Sequence, residues 1–246
     1  NFIVPSSIFF CMEISYLSSE QNLRQTLIGH TQTKGTIMKI AVVAANGREG
    51  QLVVKEAVER GHDVTAVVRG DNKTVAKNVV VKDLFNLTAA DLAGFDVVVD
   101  AFGAWTPETL PQHSSSLKHL CDILSGVNTR LIVVGGAGSL YVNPEHTTQL
   151  KDLPTFPAEF KPLAEAQGKA LEELRERSDV KWTFISPAAD FQADGERVGS
   201  YETAGEELTV NAAGESYISY ADYAIAVVNE AEQAAHVGER FSVYAK

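Results

Sequence analysis

Residues whose types and spacing could do chemistry gather first at 44–50, in the run Ala44-Ala45-Asn46-Gly47-Arg48-Glu49-Gly50. An apolar run, Ile40 to Val43, precedes it, and a helical pattern from Gly50 to Arg60 follows, so the run reads as a strand-to-helix turn. The first N–H groups of a helix lack intrahelical partners, and the positive end of its dipole points the same way. A pyrophosphate fits there if no side chain blocks its approach. Gly47 and Gly50 are expected to supply that clearance, with Ala44 standing where a Gly-x-x-Gly-x-x-Gly pattern has its first glycine. The plainer alternative is a turn that merely needs small residues. A second apolar run, Val64 to Val68, completes a βαβ unit and delivers Arg69 at its end. An arginine there accommodates the 2′-phosphate of NADP, whereas an acidic residue would bind the 2′-hydroxyl of NAD. Arg69 therefore favours NADP(H), and Asp71 close by keeps NAD(H) in play.

Further along, Ala101-Phe102-Gly103-Ala104 is again small-residue backbone after a buried strand, a second place for a cofactor to lie against the sheet edge. His113 and His119 cannot share a helical face, and Cys11 and Cys121 have no metal or redox spacing, so no metal is expected. Cys121 sits in an amphipathic stretch and reads as a core residue.

The elements that must position these residues follow from periodicity. Of the 246 residues, 45% are hydrophobic and 22% charged, which suits one α/β domain with a sizeable core. A net charge of −11 argues against non-specific binding to nucleic acid or anionic membranes. Nothing points to secretion, so a reducing cytoplasm is the default. Residues 1–37 stand apart: a Pro-interrupted apolar piece too short to span a bilayer, then a polar stretch without periodicity. They are expected to be a dispensable leader, and residues 38–246 the folded domain.

Within that domain the first helix should turn Leu52, Val53 and Ala57 inward and Lys55, Glu56, Glu59 and Arg60 outward, ending at Gly61. Strands are expected at 79–81, 96–100, 131–134, 181–186 and 240–244, and helices at 88–93, 111–124 and 163–177. Apolar strands separated by helical patterns imply a parallel sheet covered on both faces. The segment with Pro144, Pro154, Pro157 and Pro162 is too proline-rich for regular structure, and 188–216 reads as loops shaping a substrate pocket. Ser219-x-x-Asp222 reads as a capping box opening a helix through Glu232. The fold class is thus α/β, a doubly wound and mostly parallel sheet with a small loop-rich lobe at about 187–218.

The pieces AANGREG (44–50), VTAVVRG (64–70), DLFNLT (83–88), VVDAFGA (98–104), LIVVGGAGS (131–139), FISPA (184–188) and YISYADYA (217–224) carry a resemblance. From Met38 onward the chain resembles the atypical short-chain dehydrogenase/reductase group, within it the NmrA-like and biliverdin-reductase-B-like proteins. It is most similar to bacterial proteins called NADH-flavin reductases. The resemblance implies a Rossmann-type NAD(P)-binding fold and a set of roles. Gly47, Arg48 and Gly50 would hold the pyrophosphate, and Arg69 the adenosine end. Asp83 and Leu84 would flank the adenine. Ala101, Phe102 and Gly103 would pack on the ribose and nicotinamide, and Pro187 and Ala188 would border the carboxamide. Ala44, Asn46, Glu49 and Gly135 would also belong to the cofactor site.

The departures are more informative. Typical short-chain dehydrogenases place a Ser after the fifth strand and a Tyr-x-x-x-Lys pair beyond it. Here Gly135 or Gly136 holds the Ser position, and the later segment reads Phe160-Lys161-Pro162-Leu163-Ala164. Ser139 and Tyr141 are the nearest polar substitutes, but Tyr141-x-x-x-Glu145 lacks the cation that would lower a phenol's pKa. Hydride transfer to a flavin needs chiefly stacking and orientation, because the proton can come from solvent. Trp105, Tyr141, Phe156 and Phe191 could line such a pocket. The expected activity is NAD(P)H-dependent reduction of FMN, FAD or a flavin-like or quinone-like acceptor, taken up as a substrate from solution. The alternative is an NmrA-like sensor that binds NAD(P) and signals to a protein partner without turnover. The sequence leaves the oligomeric state open, monomer or homodimer.

Overall fold

The computed structural model describes residues 36–246, so the reading of 1–37 as a leader falls almost wholly outside the described residues. The chain runs β1 (Lys39–Val43), α1 (Arg48–Glu59), β2 (Asp63–Val68), β3 (Asn78–Val81), β4 (Val97–Asp100), α2 (Gln112–Ile123) and β5 (Arg130–Val134). It continues through α3 (Lys161–Arg175), β6 (Lys181–Ser186), β7 (Asp190–Gln192), β8 (Glu202–Ala204), β9 (Tyr217–Ser219), α4 (Tyr220–Gln233) and β10 (Glu239–Tyr244).

β1 shows how the core is built. Ile40 and Val42 share one hydrophobic cluster with Val53, Val54 and Ala57 of α1 and Val227 and Ala231 of α4. The alternate residues, Ala41 and Val43, belong to a second cluster with Leu117 and Leu120 of α2 and Leu171 and Leu174 of α3. A strand buried on both faces needs apolar residues at every position, and this one has them. Eight strands lie in the order β3-β2-β1-β4-β5-β6-β10-β8, all neighbours parallel except the pair β10–β8. The doubly wound sheet expected from the sequence is therefore present. Strand order reverses between β1 and β4, which opens a crevice at their carboxyl ends. β7 and β9 form a separate parallel pair within the expected loop-rich lobe. Among the described residues no helix is long and apolar enough to cross a membrane.

Four expectations need correction. Residues 88–93 form turns rather than a helix, since the Thr88 N–H and hydroxyl both donate to the Asp91 carboxylate at 2.7 Å, and such local bonds compete with helix. β3 is not covered on both faces, because as an edge strand it leaves Val81 64% exposed. α1 starts at Arg48, two residues before the expected Gly50. Glu56, expected to face outward, is buried and accepts bonds from Arg60 at 2.8 Å and from Arg197 of the lobe at 2.7 Å. The proline-rich segment does hold two short 3-10 turns, Leu150–Asp152 and Ala158–Phe160.

Half of the expected capping box forms: Ser219 Oγ accepts from Asp222 N at 3.0 Å, while the Asp222 carboxylate takes the Ser219 hydroxyl and not its backbone N–H. The Asp222 carboxylate is used elsewhere as well, taking the Val198 and Gly199 N–H groups at 3.1 and 2.7 Å and so fixing the lobe to α4. Cys121 is buried, and burial pushes its thiol up to about 12, so it stays an inert core thiol.

One buried cation had no signal in the sequence. Arg240 of β10 is 4% exposed, and its Nε donates to Glu206 Oε2 at 2.9 Å. Its Nη2 donates to the Ser139 and Glu206 carbonyls, both at 3.3 Å. Glu206 also takes two bonds from Arg175, at 2.9 and 2.7 Å. Burial works against the Glu206 carboxylate, but the bonds from Arg240 and Arg175 outweigh it and hold the group below its ordinary value of 4.5. Its contribution to stability is therefore complete above about pH 4.5 and lost as pH falls through the lower folded value. Replacing Glu206 by Gln leaves Arg240 buried without a counter-charge and should destabilise the fold by about 2–4 kcal/mol at pH 7. Urea unfolding checks this, and the gap between wild type and Glu206→Gln should narrow as the pH drops below 4.5.

Candidate functional site

The crevice at the carboxyl ends of β1 and β4 is walled by the 44–50 turn. Ala44 has φ +58°, the left-handed conformation that a glycine would adopt without strain. This bends the chain so that Gly47 N–H donates back to the Ala44 carbonyl at 2.9 Å. Gly47 then caps α1 with no side chain of its own, so no capping bond occupies the first-turn N–H groups. An uncapped helix N-terminus opening on the crevice of a parallel sheet fits a pyrophosphate.

The two glycines divide the work differently from the sequence expectation. Gly47 is exposed, and a Cβ there would lie 3.3 Å from the Ala44 carbonyl oxygen. Gly50 is buried, and a Cβ on it would come within 2.9 Å of both the Ala44 carbonyl oxygen and Ala45 Cα. Gly50 therefore serves the close approach of α1 to β1, and clearance for an anion falls to Gly47. Asn46 is a strut: its Nδ2 donates to the Asp71 carbonyl at 2.8 Å, and its Oδ1 accepts from Lys73 N at 2.8 Å. The loop after β2, which begins with the exposed Arg69, is thereby held against the turn. Arg48 is exposed and pairs with Asp194 of the lobe. Asp83 caps the short 3-10 turn Leu84–Asn86 through Phe85 N at 2.9 Å, with Leu84 buried beneath it.

At the end of β4, Asp100 is 4% exposed, and burial pushes its carboxyl up to about 6 although the Phe102 N–H donates to it at 3.0 Å. That bond shapes the Ala101–Gly103 backbone over the crevice. Phe102 meets His113 edge-on at 5.8 Å, and His113 Nε2 lies 3.1 Å from the Ala104 carbonyl oxygen. A small cavity lined by Asp100, His113, Ser116 and Gln167 lies below.

At the end of β5 the sheet leaves no room for side chains. A Cβ at Gly135 would fall 2.1 Å from the Phe184 ring, and one at Gly136 2.1 Å from the Gln167 amide oxygen. Ser139 is buried and turned toward Arg240, its Oγ 3.5 Å from the guanidinium. Tyr141 stacks on His146 at 4.5 Å and pairs its backbone with the segment 206–208. Both candidate proton carriers thus sit in structural contacts of the lobe and the Arg240 network.

The expected pocket aromatics fall into separate settings. Trp105 is 69% exposed with its indole beside Gly103, and Phe156 is half-buried in the segment before α3. Phe191 packs on Tyr220 at 4.0 Å and Tyr223 at 4.9 Å. These two tyrosines were not expected in the site. Tyr223 is fully buried, and its hydroxyl and the Gly135 N–H converge on the Ile185 carbonyl at 2.7 and 2.9 Å. That junction fixes the end of β6 just before the buried Pro187 and Ala188. The motif YISYADYA held the signal, since Tyr220 and Tyr223 lie on one helical face, but the capping pattern drew the reading instead.

With this geometry in place, comparison with known proteins decides the family. Residues 44–233 match the profile of the NAD(P)H-binding family. The chain belongs to that family. It is 48% identical over 209 residues to the uncharacterized protein YwnB of Bacillus subtilis strain 168, covering 84% of this chain and 98% of that one. Among solved structures it is similar to SP1627 of Streptococcus pneumoniae TIGR4, named a "putative NADH-flavin reductase". That likeness has 55% identity and a TM-score of 0.83 over 85% of this chain and all of the other. A Burkholderia pseudomallei protein, named a "putative exported protein", matches at 37% identity and a TM-score of 0.76, covering 85% of this chain and 100% of its own. The resemblance read from the motifs is thus the family found, and this NAD(P)H-binding protein has the fold expected of it.

The unequal roles of the glycines are testable. Gly50→Ala should lose about 1–3 kcal/mol of stability through overpacking against β1, measured by urea unfolding. Gly47→Ala should leave stability within about 1 kcal/mol of wild type. A fluorescence titration of the same Gly47→Ala protein should nevertheless show weaker dinucleotide binding.

Proposed function

We propose that this NAD(P)H-binding protein is a reductase that uses NADPH in preference to NADH and delivers a hydride to a flavin, or to a flavin-like or quinone-like acceptor. The observation that carries the reading is the packing at Gly135, where the Phe184 ring and the Ile185 carbonyl leave no space for the serine of carbonyl-reducing relatives. Ser139 and Tyr141, engaged elsewhere, do not replace it. Acceptors that need no hydroxyl to polarise a carbonyl suit such a site.

When bound, a reduced nicotinamide supplies the hydride. The chain's own residues bind and orient. The first-turn N–H groups of α1 hold the pyrophosphate, and Asn46 holds the loop that presents Arg69 to the adenosine end. Asp83 and Leu84 border the adenine, and Ala101 to Gly103 line the crevice floor. Pro187 and Ala188 wall the nicotinamide end, beside the aromatic surface that Phe191 makes with Tyr220. A planar acceptor stacks on such a surface, so that proximity supplies most of the rate. The acceptor is a dissociable small molecule, and the name of the pneumococcal relative supports a flavin.

A turnover assay following loss of nicotinamide absorbance with FMN, FAD and a small quinone tests the reading. Oxidation with at least one acceptor is expected, and tight binding without oxidation would replace the reductase by a sensor. Removing the arginine that faces a 2′-phosphate should weaken NADPH by roughly ten- to a hundredfold while changing NADH little, because a charge-assisted contact of roughly 1.5–3 kcal/mol is lost for one and not the other. Titrating Arg69→Ala with both cofactors checks this, and an equal loss for the two would refute the preference.

A further inference from the structure

Among the described residues, the only buried side-chain nitrogen or oxygen atoms without a hydrogen-bond partner are the two carboxyl oxygens of Glu49. Glu49 is the second residue of α1, 7% exposed, within the turn that walls the crevice. A buried carboxylate without a partner is strongly disfavoured, so the group stands as the neutral acid, and burial pushes its pKa well above the ordinary value of 4.5.

The groups that face it are few. From α4 come Tyr220 and Tyr223, whose phenols are raised by burial and would be raised further if Glu49 ionised. From its own turn comes Arg48, which is drawn outward to Asp194. Tyr223 in turn bonds the Ile185 carbonyl at 2.7 Å, two positions before Pro187. Glu49 is thus packed from the α1 turn toward the tyrosine face of α4, whose Tyr223 hydroxyl meets the end of β6, the wall given above to the nicotinamide end.

We propose that Glu49 is a proton-holding residue coupled to the oxidation state of the bound nicotinamide, neutral beside the reduced ring and ionised beside the oxidised, cationic ring. The inference rests on the cofactor placement given above. Oxidation of the cofactor sends two electrons and one hydrogen nucleus to the acceptor, which becomes an anion. The same event places a positive charge beside Glu49, and an opposite charge within about 4–6 Å lowers a carboxyl's pKa by roughly 1–3. The Glu49 O–H bond then breaks, its proton neutralises the reduced acceptor, and the carboxylate remains opposite the ring cation. After the oxidised cofactor leaves, Glu49 takes a proton from water, so that one cofactor, one acceptor and one solvent proton are consumed in each cycle.

Binding alone tests this without turnover. NADP+ and NADPH are added separately to the full chain in weakly buffered solution with a pH indicator, and their affinities are titrated between pH 6.5 and 8.5. The two ligands share the pyrophosphate and 2′-phosphate, so any difference reports the ring charge. Wild type should release more protons per site with NADP+ than with NADPH, by at most one. The NADP+ dissociation constant should fall by up to about tenfold per pH unit, as expected for release of a single proton on binding, while that of NADPH stays flat. Glu49→Gln, which keeps the shape but cannot ionise, should abolish both differences. Equal proton counts for the two ligands in wild type would overturn the proposal, whatever the variant does, and so would a difference that survives in Glu49→Gln. Failure of either ligand to bind wild type would bring down the cofactor placement along with it.

Discussion

The site depends on one close approach, that of α1 to β1 at Gly50. With only a hydrogen in place of a side chain, the first turn of the helix settles against the Ala44 and Ala45 backbone, where a Cβ would stand 2.9 Å from two atoms. Close-packed interiors give way poorly, so this contact fixes the helix axis relative to the sheet. The helix N-terminus then opens on the reversal in strand order instead of on solvent beside it. The unusual backbone of Ala44 and the buried Glu49 lie in the same turn.

Around that contact, charge holds the irregular lobe in place. Glu56 of α1 takes Arg197, Asp222 of α4 takes two lobe N–H groups, and Arg240 of β10 takes Glu206. Each tie joins a loop that has little apolar surface of its own to a regular element that has plenty. Such ion pairs contribute less to net stability than their Coulomb energy suggests, because burying the charges is itself unfavourable. What they supply here is position, adding to the strand pairs β7–β9 and β10–β8 that also tie down the segment from Asp190 to Glu207.

Much of this was legible in the sequence where one physical signal dominated. The βαβ unit from Lys39 to Val68, the mostly parallel doubly wound sheet and the cap at Ser219 followed from apolar periodicity and turn chemistry. The failures share a cause. Residues 88–93 have a helical composition, but Thr88 and Asp91 form a local bond that no periodicity count sees. Glu56 and Arg240 were unreadable as buried because burial of a charge depends on partners far along the chain, Arg197 for one and Glu206 for the other. Glu49 was read as one member of an anion-binding turn, although its side chain turns inward. Only the packing of α4 across the helix reveals that, and no local pattern encodes it.

The sheet ends differently on its two sides. Among the described residues both ends of the sheet are edge strands, β8 lying antiparallel to β10 and β3 carrying two valines, 38% and 64% exposed. An edge of this kind is a template for strand addition from another chain, the first step of ordered aggregation. Brevity and charge limit the hazard: the strand has four residues, and Lys77 and Lys82 stand at its two ends. At high concentration or partial unfolding, this edge is where self-association of the sheet would begin, and the two lysines are its gatekeepers.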